Sequence, residues 1–247
     1  MADPNLWAPN STRVELEDRE IHVWRAELDS GGIALHRFEE TLAPDEKARA
    51  NRFVFRQDRN RYVAARGVLR ELLGRYLNRT PEAFEFDYNS KGKPSLRAES
   101  NKGSVQFNVS HSHGLVLLAF ALGYNLGIDV EFVRPEVPTD EIAERYFSPQ
   151  EVIELRALPL SMRTEGFYLC WTRKEAYIKA RGEGLYIPLE SFNVSLTPGQ
   201  PERLESADSR RWSMQSLYPY PRYVGALVAE GQNLRLRQWS WKSPHEG

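Results

Sequence analysis

The sequence predicts an α+β fold, and three observations carry that prediction. Alternating apolar stretches recur in both halves of the chain, each half also holds segments with helical spacing, and turn residues separate neighbouring strands closely enough for antiparallel pairing. Taken in order, Ile21 to Ala26 alternates around Val23 and Trp24 and reads as an early strand. Pro44 to Phe53 reads as a helix, and Asp58 to Tyr76 as a longer one with Val63, Val68, Leu69, Leu72 and Leu73 inward. Phe84 to Tyr88 alternates as a strand. Leu115 to Leu122 is a strongly apolar strand, joined through a turn at Gly123-Tyr124-Asn125 to a strand over Gly127 to Glu131. Thr139 to Tyr146 reads as a helix. Ser148-Pro149-Gln150-Glu151 starts another, with Ser at the N-cap, Pro at the first position and Glu at the third. A helix through Trp171 stops at Gly182 and Gly184. Phe192 to Leu196, Trp212 to Tyr218, Tyr223 to Ala229 and Leu234 to Trp241 read as strands, and Pro198 to Asp208 as a polar loop. No internal repeat is legible.

A chain of 247 residues buries a sizeable core in one or two domains. With 41% hydrophobic and 27% charged residues it reads as an ordinary soluble globular protein. The net charge of −1 gives no global attraction to nucleic acid or to a membrane. Charge is nevertheless uneven. From Lys47 to Arg79 ten Lys or Arg face only Asp58 and Glu71, a net of +8; from Asp129 to Glu154 eight acids face Arg134 and Arg145, a net of −6. A basic half facing an acidic half suits a cleft that holds a polyanion on one side and its metal on the other. Charge runs also decorate solvated helix faces. The single cysteine, Cys170, allows no disulfide within the chain and sits in an apolar stretch, which fits a buried residue in a reducing compartment. The N-terminus lacks a basic start followed by an apolar run, and no run of about 18 apolar residues occurs, so a cytoplasmic protein is expected.

Three segments carry candidate chemistry. In Trp171-Thr172-Arg173-Lys174-Glu175-Ala176-Tyr177-Ile178-Lys179, Glu175 and Lys179 are four apart and share a helix face, while Phe167, Trp171 and Ile178 form a buried stripe. A carboxylate beside a lysine suits a metal-bound phosphate; such pairs also occur as plain surface stabilisers. In Gly127-Ile128-Asp129-Val130-Glu131, strand alternation aims Asp129 and Glu131 at one volume. Together with Glu175 they make an oxygen-donor site for Mg²⁺; the alternative is an acidic exposed strand face. Phe107 to Gly114 places Ser110 and His111 at a strand junction, with no Cys or further His at zinc-like spacing. Upstream, Lys91-Gly92-Lys93-Pro94 suits wrapping a phosphate and equally suits a solvated turn.

In this order, these segments resemble the 4′-phosphopantetheinyl transferases of the Sfp type. The resemblance spans Pro44 to about Leu185 and adds Pro44 to Arg49, Arg52 to Phe55, Arg61 to Arg70, Gly92-Lys93-Pro94, Asn108 to Ser112 and Phe147 to Glu151. It implies a pseudo-dimer of two similar α/β halves, 1–123 and 124–247, with the active site in the cleft between them. It implies transfer of the phosphopantetheine arm of coenzyme A to a serine of an apo acyl, peptidyl or aryl carrier protein. Adenosine 3′,5′-bisphosphate leaves, and Mg²⁺ is required, with Mn²⁺ as a substitute. By resemblance Asp129, Glu131 and Glu175 are the metal ligands, and Asp129, Glu175 and Lys179 carry catalysis, Lys179 near the pyrophosphate. Asn108, Ser110 and His111 belong to the CoA site, His111 at the 3′-phosphate. Arg49 and Lys93 resemble its basic contacts, and Arg66, Lys91 and Gly92 are further candidates. Glu46 stands where some members carry a lysine. Two halves in one chain remove the need for a dimer, so a monomer is expected. The proton of the carrier serine goes either to a carboxylate such as Glu175 or to a water on the metal. Two other readings use the same residues: a Mg²⁺-dependent phosphohydrolase, and a CoA-binding module without catalysis. A nucleic-acid binder through residues 47–79 is disfavoured by the near-neutral total and the lack of an aromatic stacking pattern.

Overall fold

The structure is a computed structural model that describes residues 7–9, 14–29, 32–89, 92–97, 104–182 and 187–242. Lys91 and Gly184 lie outside the described residues. The first half runs β1 (Glu20–Glu27), α1 (Gly32–Thr41), α2 (Pro44–Ala50), α3 (Arg56–Leu77), a short hairpin of β2 (Phe86–Tyr88) and β3 (Pro94–Leu96), then β4 (Val105–Ser112) and β5 (Leu115–Leu122). The second half runs β6 (Leu126–Phe132), α4 (Thr139–Tyr146), α5 (Pro149–Ala157), α6 (Leu160–Arg181), a short hairpin of β7 (Asn193–Val194) and β8 (Leu204–Glu205), then β9 (Trp212–Leu217) and β10 (Tyr223–Glu230). β11 (Arg235–Ser240) follows.

The same unit therefore occurs twice: a strand, short helices, a 22-residue helix, a small hairpin and two strands. Each unit builds an antiparallel sheet in the same order, β1-β5-β4 and β6-β10-β9. The repeat that the sequence hides is visible at matching helix positions. Arg70, Glu71, Arg75 and Asn78 of α3 correspond to Lys174, Glu175, Lys179 and Gly182 of α6, 104 residues later in each case. Both helices close on a left-handed residue, Asn78 at φ 49° and Gly182 at φ 72°. The helices before them are capped alike. Glu46 Oε2 accepts from Ala43 N at 2.9 Å, and Glu151 Oε2 accepts from Ser148 N at 2.9 Å. Each of these glutamates is buried and paired with a buried cation of the long helix, Glu46 with Arg70 and Glu151 with Lys174, at 2.5 and 2.8 Å.

The halves differ at one sheet edge. β11 pairs in parallel with β1, so the tail expected with the second half lies in the sheet of the first. Three apolar cores separate four layers. One lies between α1–α3 and the first sheet, one between the two sheets, and one between the second sheet and α6. Alternation sorts the strands between cores: Leu115, Leu117 and Ala119 of β5 enter the middle core, and Val116, Leu118 and Phe120 the helical one. Among the described residues no helix is long and apolar enough to cross a membrane. The predicted helix Pro44 to Phe53 ends at Ala50, because Asn51 to Phe55 form a loop before α3 begins at Arg56. The helix α1 had no counterpart in the sequence reading, although Leu35, Phe38 and Leu42 fall at i, i+3 and i+7 and pack into the first core.

One buried cluster makes stability depend on pH. His22 is 1% exposed, with Nδ1 2.8 Å from the Tyr76 hydroxyl and Nε2 3.2 Å from Glu20 Oε2. Burial holds its imidazole below the ordinary range, outweighing the pull of Glu20. The unfolded chain then binds a proton near pH ~6.5 that the folded chain resists, so stability falls as pH drops below about 6.5. Urea unfolding at about pH 7 and about pH 5.5 checks this. The wild type is expected to lose stability at the lower pH, and His22→Asn to lose less; equal losses overturn the assignment to His22.

Candidate active site between the two repeats

β4 and β6 meet where the sheets adjoin, and side chains of β4 take the place of a backbone ladder. Asn108 Oδ1 accepts from Ile128 N at 2.8 Å, Ser110 Oγ from Val130 N at 3.3 Å and Ser112 Oγ from Phe132 N at 3.1 Å. Strand period places these three on one face, each opposite an amide of β6. The two hydroxyls then donate to the acids: Ser110 Oγ to Asp129 Oδ1 at 2.8 Å, Ser112 Oγ to Glu131 Oε2 at 2.7 Å. The junction of the halves and the orientation of the acids are thus one set of hydrogen bonds.

The helix α6 comes onto these acids because Gly127 lets it. A Cβ at Gly127 would run into the backbone of Ala176 and Ala180. That close approach sets Glu175 and Lys179 over β6. Lys179 Nζ lies 2.6 Å from Asp129 Oδ1 and 3.3 Å from both Ser110 Oγ and Ile128 O. Asp129 is 4% exposed, and its Oδ2 is buried with no hydrogen-bond partner. Glu131 and Glu175 are both held above the usual carboxylate range, first by burial and then by the negative charge of Asp129. Three carboxylates therefore share one desolvated volume at a cost that a cation there relieves. They do not stand as a finished cage: among the described residues no three His, Cys, Asp or Glu side chains converge at coordinating distance. Lys179 holds Asp129, and Ser112 holds Glu131. The donor set, all carboxylate oxygen, and the orphaned Asp129 Oδ2 fit a hard divalent ion.

The opposite wall is basic. His111 is exposed on β4, and its imidazole is held below the ordinary range by the desolvating cleft, then by the charges of Lys179 and Arg49. Arg49, on α2, is exposed with its guanidinium 5.5 Å from the Tyr62 ring. It lines a cavity of about 560 Å³ with Asp45, Arg52, Phe53, Tyr62, Tyr88 and Gly92. Gly92 stands at φ 77°, a conformation that a side chain would strain. An aromatic pocket rimmed by arginine suits a flat heterocycle carrying phosphate.

Three other expected CoA contacts are already engaged by groups of the protein itself. Arg66 is buried, ion-paired with Glu46, 3.1 Å from the Tyr88 hydroxyl and 4.4 Å over the Phe86 ring, so it braces α2 against α3. Glu46 explains this: a carboxylate at that position captures the guanidinium. Lys93 donates to Lys179 O at 2.6 Å and Leu126 O at 3.3 Å, which ties the β2–β3 hairpin to the end of α6. Burial, then the charge of Lys179, brings its pKa down to about 8. Asn108 is 4% exposed and committed to Ile128 N. Sequence reasoning passed over Ser112, although its place two residues after Ser110 puts both on one strand face. It also passed over Tyr62 and Tyr88, which lie far apart in sequence and meet only in the cavity.

Residues 125–228 match the 4′-phosphopantetheinyl transferase superfamily, and residues 33–122 match the N-terminal region of 4′-phosphopantetheinyl transferases. The 4′-phosphopantetheinyl transferase HetI of Nostoc sp. is 39% identical over 237 residues, covering 96% of this chain and 99% of that protein. The chain belongs to the 4′-phosphopantetheinyl transferase superfamily. Sfp of Bacillus subtilis, a 4′-phosphopantetheinyl transferase, is 32% identical over 173 residues, 70% of this chain and 75% of that one. Among solved structures, a holo-(acyl-carrier-protein) synthase from Bacillus anthracis in complex with CoA aligns with a TM-score of 0.38 and 23% identity, over 43% of this chain and 94% of that one. The two family matches adjoin at the turn between β5 and β6, where the second of this chain's two similar units begins.

Proposed function

We propose that this transferase moves the 4′-phosphopantetheine arm of coenzyme A to a serine hydroxyl of an apo carrier protein, using a divalent ion, Mg²⁺, held by Asp129, Glu131 and Glu175. The observation that supports the metal most directly is the buried Asp129 Oδ2 without a partner, beside two carboxylates held above their usual range. A divalent ion held there would supply positive charge to offset the negative charge that phosphoryl transfer develops. Lys179 reaches the same volume and holds phosphate oxygen in place of Asp129. Ser110 and Ser112 keep the acids oriented. Glu175, desolvated and above the carboxylate range, is a competent acceptor for the serine proton. The aromatic cavity beside Arg49 takes the nucleoside, and His111 the 3′-phosphate. Both walls of the cleft come from one chain, which supports action as a monomer, and the buried single thiol suits the cytoplasm.

The deciding experiment incubates the protein with CoA, Mg²⁺ and an apo carrier protein, and reads the carrier by mass spectrometry. A phosphopantetheine increment on the carrier serine is expected. CoA cleaved without a carrier adduct would instead identify a hydrolase, and CoA bound without turnover a binding module.

His111 gives a sharper test of the CoA wall. His111→Ala is expected to raise the KM for CoA more than that for the carrier, and to lose most of the preference for CoA over dephospho-CoA. One charge-assisted hydrogen bond to phosphate is worth about 1.5–3 kcal/mol, roughly 10- to 150-fold in kcat/KM. An unchanged preference removes His111 from the 3′-phosphate.

A further inference from the structure

The loop between α2 and α3 exposes three consecutive large apolar side chains: Phe53 at 39%, Val54 at 89% and Phe55 at 69%. Ile153 and Leu160, the other strongly exposed aliphatics among the described residues, are single side chains on separate helices. A contiguous apolar tip of this kind is unusual on a surface that faces only water. Phe53 joins the tip to the candidate site: it packs on Tyr62 at 5.4 Å and lines the aromatic cavity beside Arg49.

The cations around the tip are the exposed remainder of the basic run. Arg66 and Arg70 are buried on Glu46, Arg61 is paired with Asp29, and Arg59 with Glu39. Arg75 is half-buried on the far turn of α3, and Arg79 lies over Phe84. Lys47, Arg52 and Arg56 are exposed, and no ion pair engages them among the described residues. They flank the apolar tip. An acidic partner with an apolar hollow matches this surface in both respects.

We propose that the α2–α3 loop is the docking surface for the acceptor carrier protein, with Val54 and Phe55 inserting between apolar side chains of the carrier while Lys47, Arg52 and Arg56 lie against its acidic rim. The proposal rests on the transfer reading, because a carrier must bring its serine to the cleft and this loop is the apolar rim of that cleft. It differs from steering by the basic run alone: the apolar anchor supplies residence, and the cations supply encounter rate.

The test compares wild type with Val54→Ser/Phe55→Ser and with Arg56→Glu, none of which lines the cavity. Val54 and Phe55 are exposed, and Phe55 is the N-cap of α3 without a side-chain cap, so serine there is compatible with folding. Transfer from CoA to an apo acyl carrier protein and to an apo peptidyl carrier domain is followed, with CoA binding measured separately by calorimetry. For the double variant we expect the carrier KM to rise about tenfold or more, with kcat and CoA affinity within about twofold of wild type. Arg56→Glu should raise the carrier KM and flatten its rise with salt. A carrier KM unchanged in the double variant overturns the proposal while leaving the transfer reading intact; it does so equally if the variant loses pelleting with phosphatidylcholine–phosphatidylserine vesicles or dissociates a wild-type dimer. A wild type that binds CoA but modifies neither carrier overturns both.

Discussion

Asp129→Ala and Glu175→Ala are expected to reduce transfer by about 100-fold or more at saturating CoA and carrier, with the fold retained. Each removes a hard oxygen donor and, for Asp129, the carboxylate that positions Lys179 and receives Ser110. Charge stabilisation by a metal in phosphoryl transfer amounts to several kcal/mol, and a loss of about 3 kcal/mol is already more than 100-fold in rate. Glu131→Ala should cost less, since water can take one position on an oxygen-liganded ion. The checks are single-turnover transfer across a Mg²⁺ titration and calorimetric titration of the metal. Near-normal turnover by either main variant at limiting Mg²⁺ would sink the assignment.

Glu151→Ala is expected to have the largest effect on stability, about 3–5 kcal/mol. The side chain is 1% exposed and accepts from Ser148 N at 2.9 Å and Val194 N at 2.8 Å. It also pairs with Lys174, itself fully buried on α6. Removing it loses the Glu151 half of the α5 capping box, the acceptor of Ser148 N, and leaves a buried ammonium with the carbonyls of Leu189 and Phe192 and the Phe192 ring but no counter-charge. Replacing both partners, as in Glu151→Leu with Lys174→Met, should cost clearly less than the single change, because no uncompensated charge remains. Urea unfolding measures both. A single-variant loss under about 1 kcal/mol, or a double variant no better than the single, would show that the pair does not brace the second half.

The correspondence of Glu46–Arg70 with Glu151–Lys174 explains why the repeat escapes a linear reading. What the halves share is a capping glutamate, a cation and an acid at fixed helix phase. The strands have diverged: the helix-facing residues of β1 are His22, Trp24 and Ala26, and those of β6 are Gly127, Asp129 and Glu131. Trp24 and Ala26 fill a core where the acids open a site, so one chain carries one candidate site from two similar units.

Local periodicity determined a good deal. A strand period of two is sufficient to set Asp129 with Glu131, and a helical period of 3.6 sets Glu175 with Lys179, whatever the surroundings. Segregated helices and short-turned strands likewise determined the α+β class. Which face meets which is another matter. Lys93 and Arg66 lie in segments that suit phosphate binding, yet the folded chain turns one onto carbonyls of Lys179 and Leu126 and the other onto Glu46. Ser110 and Ser112 reach the acids only because β4 and β6 become neighbours, and β11 returns to β1 across more than two hundred residues of chain. Those pairings were decided by three apolar cores assembling from distant segments, since burial is non-directional and rewards the packing of whole faces, information that no short window of residues contains.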